Sequence, residues 1–127
     1  MNYLIDTYVL IWFLDDYELI PENILSEIEN PENSVFISKV TLWEMAIKYS
    51  LGKLVTSKPF ENINEYLILN NFDLLDIDFA HLNILLNMPF FHKDPFDRMI
   101  IAQAICEKLT VISHDKNFKN YSIDILW

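Results

Sequence analysis

Four acids stand where carboxylate chemistry needs rigid placement: Asp6, Glu44, Asp97 and Asp115. Asp6 closes the apolar run "NYLID", and Asp115 closes "TVISHD". Glu44 lies in "TLWE", and Asp97 lies in "HKDPFDR". Carboxylates brought together from four distant segments repel one another unless a cation lies among them. Hard oxygen ligands, in a chain with only three histidines, suit Mg2+ or Mn2+ rather than zinc. An ion held in this way activates water, orients a phosphodiester and stabilises the charge that develops on its oxygens.

Each acid also has a purely structural use. Thr41-Leu42-Trp43-Glu44 fits a capping box, and Asp94 to Asp97 is a close variant of one, with Pro95 as the first helical residue. Acids favour helix N-termini through the macrodipole in any case. Asp6 is harder to explain this way, because a carboxylate directly after a buried strand is costly unless paired or coordinated.

The elements that must position these acids are legible as an alternation. Strands are predicted over 2–6, 34–38, 72–78, 110–115 and 121–127, where short apolar or β-branched runs occur. Helices are predicted over 7–16, 21–30, 41–54, 60–71, 80–88 and 95–109. Gly52 is placed to stop the third of these, and Pro89 to stop the fifth. Strands alternating with helices imply an α/β fold, a parallel sheet covered on both faces. Ligands in such sheets gather beyond the carboxyl ends of the strands. Asp6 and Asp115 sit at such ends. Glu44 and Asp97 are expected in first turns of helices, close to the same edge.

Composition narrows the class. The 127 residues, 52% hydrophobic and 14% aromatic, suit one domain over 1–127 with a real core. Apolar runs such as "YVLIWFL" are too short to span a bilayer, and no basic leader precedes Asp6. Cys106 alone cannot form an internal disulfide, which fits a buried thiol in a reducing cytoplasm. The net charge of −10 argues against a broad grip on nucleic acid backbone. A cation at the acid cluster would make a local exception.

"YLIDTYVLIWFLDD", "ISKVTLWEMAIKYSLGKL", "HKDPFDRMIIAQA" and "VISHDKNF" resemble PIN-domain ribonucleases, specifically the VapC-type toxins of bacterial toxin–antitoxin pairs. The resemblance runs in order along essentially the whole chain. It implies a three-layer α/β/α fold around a parallel sheet of about five strands, and metal-dependent cleavage of RNA. It places Asp6, Glu44, Asp97 and Asp115 at the four acidic positions of the family. Asp6 and Asp97 would be direct ligands of Mg2+ or Mn2+, with Glu44 and Asp115 joining directly or through water. Thr7 matches the small hydroxyl residue after the first acid, suited to phosphate or an ordered water. It further implies a VapB-like antitoxin as partner and a toxin homodimer.

Other residues receive plainer expectations. His92 and His114 are read as polar or capping groups, and His81 as a surface residue. Arg98 is expected to pair with a neighbouring carboxylate, with RNA phosphate as its other option. Asp94 is expected to cap, with a supporting place at the site. Lys48 and Lys53 are read as a solvated helix face, and Trp12, Trp43 and Trp127 as core or dimer contacts. Three other functions compete. A haloacid-dehalogenase-like phosphohydrolase also starts with an aspartate after its first strand, but it needs a second acid where Tyr8 stands. A receiver domain would want an acidic pair there, and a phosphate-accepting aspartate in the Asp76–Asp78 region. A catalytically silent PIN-fold binding module is disfavoured by the complete quartet.

Overall fold

The computed structural model describes all of Met1–Trp127. Its core is one parallel sheet of five strands: β1 (Asn2–Ile5), β2 (Ser34–Ser38), β3 (Phe72–Leu75), β4 (Thr110–Ile112) and β5 (Ile125–Leu126). The order is β3-β2-β1-β4-β5, so β1 is central and hydrogen-bonded on both sides. Leu4 lies opposite Phe36 on one side and Val111 on the other. Six helices cover the faces: α1 (Thr7–Asp15), α2 (Glu22–Glu29), α3 (Lys39–Ser50), α4 (Ile63–Leu69), α5 (Phe79–Asn87) and α6 (Pro95–Glu107).

Alternation along the strands divides the core into two layers. Tyr3 and Ile5 of β1, with Val35, Ile37 and Ile112, face α1, α2 and α4 through Val9, Leu10, Phe13, Ile24 and Leu67. Leu4 and Val111 face the other way, onto Met99, Ile100, Ile101 and Ala104 of α6. Burial on both faces is what the continuous apolar strand sequences require. The result is the expected three-layer α/β/α architecture. None of the helices is long and apolar enough to cross a membrane.

Element boundaries differ from the sequence reading in ways that matter at the site. α3 begins at Lys39 rather than at 41, because β2 runs straight into it and Ser38 serves as its cap, accepting from the Val40 N–H at 3.0 Å. The Thr41–Glu44 capping box therefore does not form. Thr41 is buried inside the helix, and Glu44 lies in its second turn. Gly52, at φ +68, does end α3, where a left-handed backbone suits a residue lacking Cβ. β3 is shorter than the 72–78 expected and β4 shorter than 110–115, so Ser113, His114 and Asp115 leave the ladder. Asp115 instead caps a 3-10 helix over Lys116–Asn120, accepting from the Asn117 N–H at 2.9 Å. The predicted final strand contracts to Ile125–Leu126.

Candidate active site

With the sheet wound outward from β1 in both directions, the crevice between the carboxyl ends of β1 and β4 is its topological switch point. Asp6 stands there. Its backbone N–H bonds to the Ile112 carbonyl at 3.1 Å, extending the β1–β4 ladder by one residue. Its side chain caps α1: Oδ1 accepts from the Val9 N–H at 2.8 Å, and Oδ2 accepts from the Ser113 hydroxyl. Asp6 is only 3% exposed, and burial pushes its pKa from 3.8 up to about 7. The nearby charges of Asp97 and Asp115 push the same way, while the Ser113 and Val9 bonds oppose them.

Asp97 comes from the first turn of α6. Asp94 caps that helix as expected, its Oδ1 accepting from the N–H groups of Phe96 and Asp97 at 2.9 and 3.0 Å. Pro95 needs no N–H at the first position. Asp97 does not complete a reciprocal box. Its Oδ2 lies 2.8 Å from Nε2 of His92, and its pKa rises to about 6. Desolvation is the main cause, with Asp94 and Glu44 adding to it and His92 working against it. His92, Asp97 and Asp115 each bring a ligand atom within 4.8 Å of the others.

Glu44 is held at one side of this cluster. It is buried, accepts a hydrogen bond from Thr7 at 2.7 Å, and pairs with Lys48 at 3.0 Å. Thr7 is itself buried against Thr41 (Oγ1–Oγ1 3.1 Å). Its hydroxyl is thus spent on positioning Glu44 rather than offered to phosphate or water. Lys48 likewise is no idle surface cation.

Arg98 corrects its expectation more sharply. It is 5% exposed and makes no ion pair. Its guanidinium donates to the carbonyl of Pro89 at 2.8 Å and to the Tyr121 hydroxyl at 3.3 Å, and it lies 4.0 Å from the centre of the Phe90 ring. Longer contacts of 3.5 Å reach the carbonyls of His92 and Leu85. Burial removes Arg98 from any contact with RNA and makes it the clamp of the loop between α5 and α6. Tyr121 completes the clamp by accepting from the His92 N–H at 3.0 Å.

Sequence reasoning missed two site residues. Ser113 carries a signal only in retrospect, lying just past β4 in "VISHD". His92 precedes Asp97 by five positions in an irregular loop, so no periodicity announces their contact. His81 was misplaced as well: it is fully buried, with Nδ1 accepting from the Asp78 N–H at 3.0 Å and Nε2 facing Glu107 at 2.9 Å. Cys106 lies close enough to complete a three-donor group with them. Both ring nitrogens of His81 are already engaged, however, so that group is a helix cap braced by Glu107.

A divalent cation fits the main cluster. Its donors are carboxylates whose pKa values are held up by burial and mutual repulsion, the condition that a bound cation relieves. Asp6 and Asp97 each keep lone pairs beyond those used in their hydrogen bonds, and Asp115 and His92 add donors beside Asp97.

Fold and site together define a doubly wound α/β/α domain with an acidic centre adapted to a cation. The model of the PIN domain matches residues 3–124, and the chain belongs to that family. Among curated proteins none matches it in sequence. Among solved structures it is similar to VapBC2 from Rickettsia felis bound to a DNA fragment from its promoter, at TM-score 0.73 and 19% identity, covering 100% of this chain and 99% of the other. It is similar to DNA-bound VapBC from Salmonella typhimurium at TM-score 0.71 and 22% identity, over 99% and 97% of the two chains. VapBC-1 from nontypeable Haemophilus influenzae matches at TM-score 0.69 and 19% identity, with 99% and 97% covered.

Proposed function

We propose that the chain is a metal-dependent endoribonuclease, the toxin of a VapBC-type pair. The observation that carries this reading is the gathering of His92, Asp97 and Asp115 within electrostatic reach of the buried Asp6, with Asp6 and Asp97 held above ordinary carboxylate pKa values. Membership of the PIN family and likeness to the toxin–antitoxin complexes support it. Asp6 and Asp97 would hold Mg2+ or Mn2+, with Asp115 and Glu44 joining directly or through water. When bound, that ion would supply a Lewis acid for the phosphoryl oxygens and a lowered pKa for water.

The chain's own groups do the rest. Val9 N–H and the Ser113 hydroxyl fix the rotamer of Asp6, so its free lone pairs face the crevice. His92 orients Asp97. Thr7 and Lys48 hold Glu44 in place beside them and keep it from swinging away. A VapB-like antitoxin and a second copy of the chain are the partners this reading implies. The phosphohydrolase alternative gains nothing, since Tyr8, 53% exposed, occupies the place of its second acid.

The test is cleavage of RNA by purified protein. It should require Mg2+ or Mn2+, stop with EDTA, and fall by at least about 100-fold in Asp6→Asn and Asp97→Asn proteins that retain their circular dichroism. Undiminished cleavage in both variants would overturn the assignment. Release of phosphate from monoesters without RNA cleavage would favour the phosphohydrolase.

A further inference from the structure

Three aromatic rings cluster beside the acids. Trp12 and His114 share with Asp6, Tyr8 and Asp115 a cleft of about 170 Å³. His114 is also the wall of an adjoining cleft of about 330 Å³, lined by Trp127, Lys116 and Lys119. The ring centres lie 6.0 Å apart for Trp12–His114, 5.2 Å for His114–Trp127 and 5.6 Å for Trp12–Trp127. The three are mutually tilted rather than interleaved in the core. Trp12 is half-buried, its inner edge packed on the apolar layer beneath. His114 and Trp127 are exposed, Trp127 by 37%. A pure core role would not leave His114 and Trp127 open at the mouth of the site.

Charge points the same way. In a chain of net charge −10, Lys116 and Lys119 pair with no acid, as is true of most of its lysines, but these two also line the cleft that His114 and Trp127 share. Two unpaired ammonium groups beside a cluster of rings, two of them exposed, match a polyanion whose bases have free faces. Unpaired RNA has both features. A duplex does not, because its base faces are occupied by their own stacking.

We propose that Trp12, His114 and Trp127 form a stacking platform for unpaired nucleotides next to the scissile phosphate, with Lys116 and Lys119 receiving the phosphates beyond them. This rests on the ribonuclease reading and gives it the residues that would hold the unpaired strand beside the acids. His114 is the hinge of the arrangement: it adjoins Asp115 in sequence and joins both clefts.

The test uses a dye-labelled random-sequence pool of short single-stranded RNA, with Ca2+ in place of Mg2+ to slow cleavage, and follows anisotropy and tryptophan emission. Trp127→Ala should weaken binding at least about five-fold, as loss of one stacked base does, and Trp127→Phe should restore most of it. RNA should quench tryptophan emission in the wild type and quench it less in Trp127→Phe. Trp43, exposed on α3 against Phe96, remains as the unquenched background. Lys116→Gln with Lys119→Gln should flatten the dependence of log affinity on log salt by about 1.4, two single-strand phosphate contacts being lost. In steady-state cleavage with Mg2+, the loss should fall on KM. Unchanged affinity, quenching and salt slope in folded variants would overturn the platform, as would equal affinity for duplex RNA. Unchanged RNA affinity with loss of a co-expressed protein partner would assign the face to that partner instead. Each of these results can occur while cleavage still depends on Asp6 and Asp97, so the platform and the nuclease stand or fall separately.

Discussion

The ionisation of Asp6 and Asp97 is a liability until something positive joins them. Both pKa values are raised on folding, from 3.8 to about 7 and about 6, so the folded protein binds more protons than the unfolded chain between these limits. Stability therefore falls as pH rises through that window, and for Asp6 alone the cost above it is about 4 kcal/mol. Melts of EDTA-treated protein should show the midpoint dropping between about pH 4 and pH 7, and Asp6→Asn should flatten that drop. Stabilisation by Mg2+ should grow over the same interval, since the cation binds only the charged acids. A flat profile in wild type would remove the strain ascribed to this pair. Asp6 could be picked out because a carboxylate directly after a buried strand is hard to explain otherwise, and Asp115 because it closes the apolar run of β4; Asp97, with a capping explanation of its own, stood out through the resemblance carried by "DPFDR". His92, Ser113 and the inward turn of Thr7 toward Glu44 could not, because each depends on a contact between segments remote in sequence or on a loop without periodicity.

Arg98 shows how one element disciplines another. It stands on α6 but holds the loop that follows α5, chiefly through backbone carbonyls, which carry no signature in sequence. An arginine one residue after an aspartate reads as half of an ion pair, and burial alone reveals that it is not. Arg98→Met should destabilise the fold by about 2–4 kcal/mol, since it strands buried acceptors as well as losing its own bonds. It should also raise the Mg2+ concentration needed for half-maximal stabilisation, because His92 loses its fixed loop. Urea melts with and without Mg2+ measure both, and a loss of stability without a change in Mg2+ demand would confine Arg98 to the fold. The helices and strands themselves were legible because apolar periodicity survives in each of them. Their ends were not, since Ser38 caps α3 while still a strand residue, and β4 stops early so that Asp115 can start a 3-10 turn.

At the scale of the molecule, apolar side chains remain on the outside of one region. Phe79 and Leu86 of α5 are 76% and 80% exposed, and Phe90 after it is 80% exposed. A surface of that kind invites a partner, and the homodimer expected from the family resemblance would cover it. Light scattering should give twice the 15.1 kDa mass of one chain, and Leu86→Asp should return the monomer. A wild-type protein that stays monomeric at high concentration would leave that face to the antitoxin. The sheet order carries a different consequence, one of timing. β1 is the first strand made, yet its neighbour β4 and the Ser113 hydroxyl that fixes Asp6 come 107 residues later. A chain still emerging from a ribosome holds one edge of its central strand open, and its first acid braced by Val9 alone, until Thr110–Ser113 has been translated. The acidic centre proposed to cut RNA is thus incomplete until that late segment has joined the sheet.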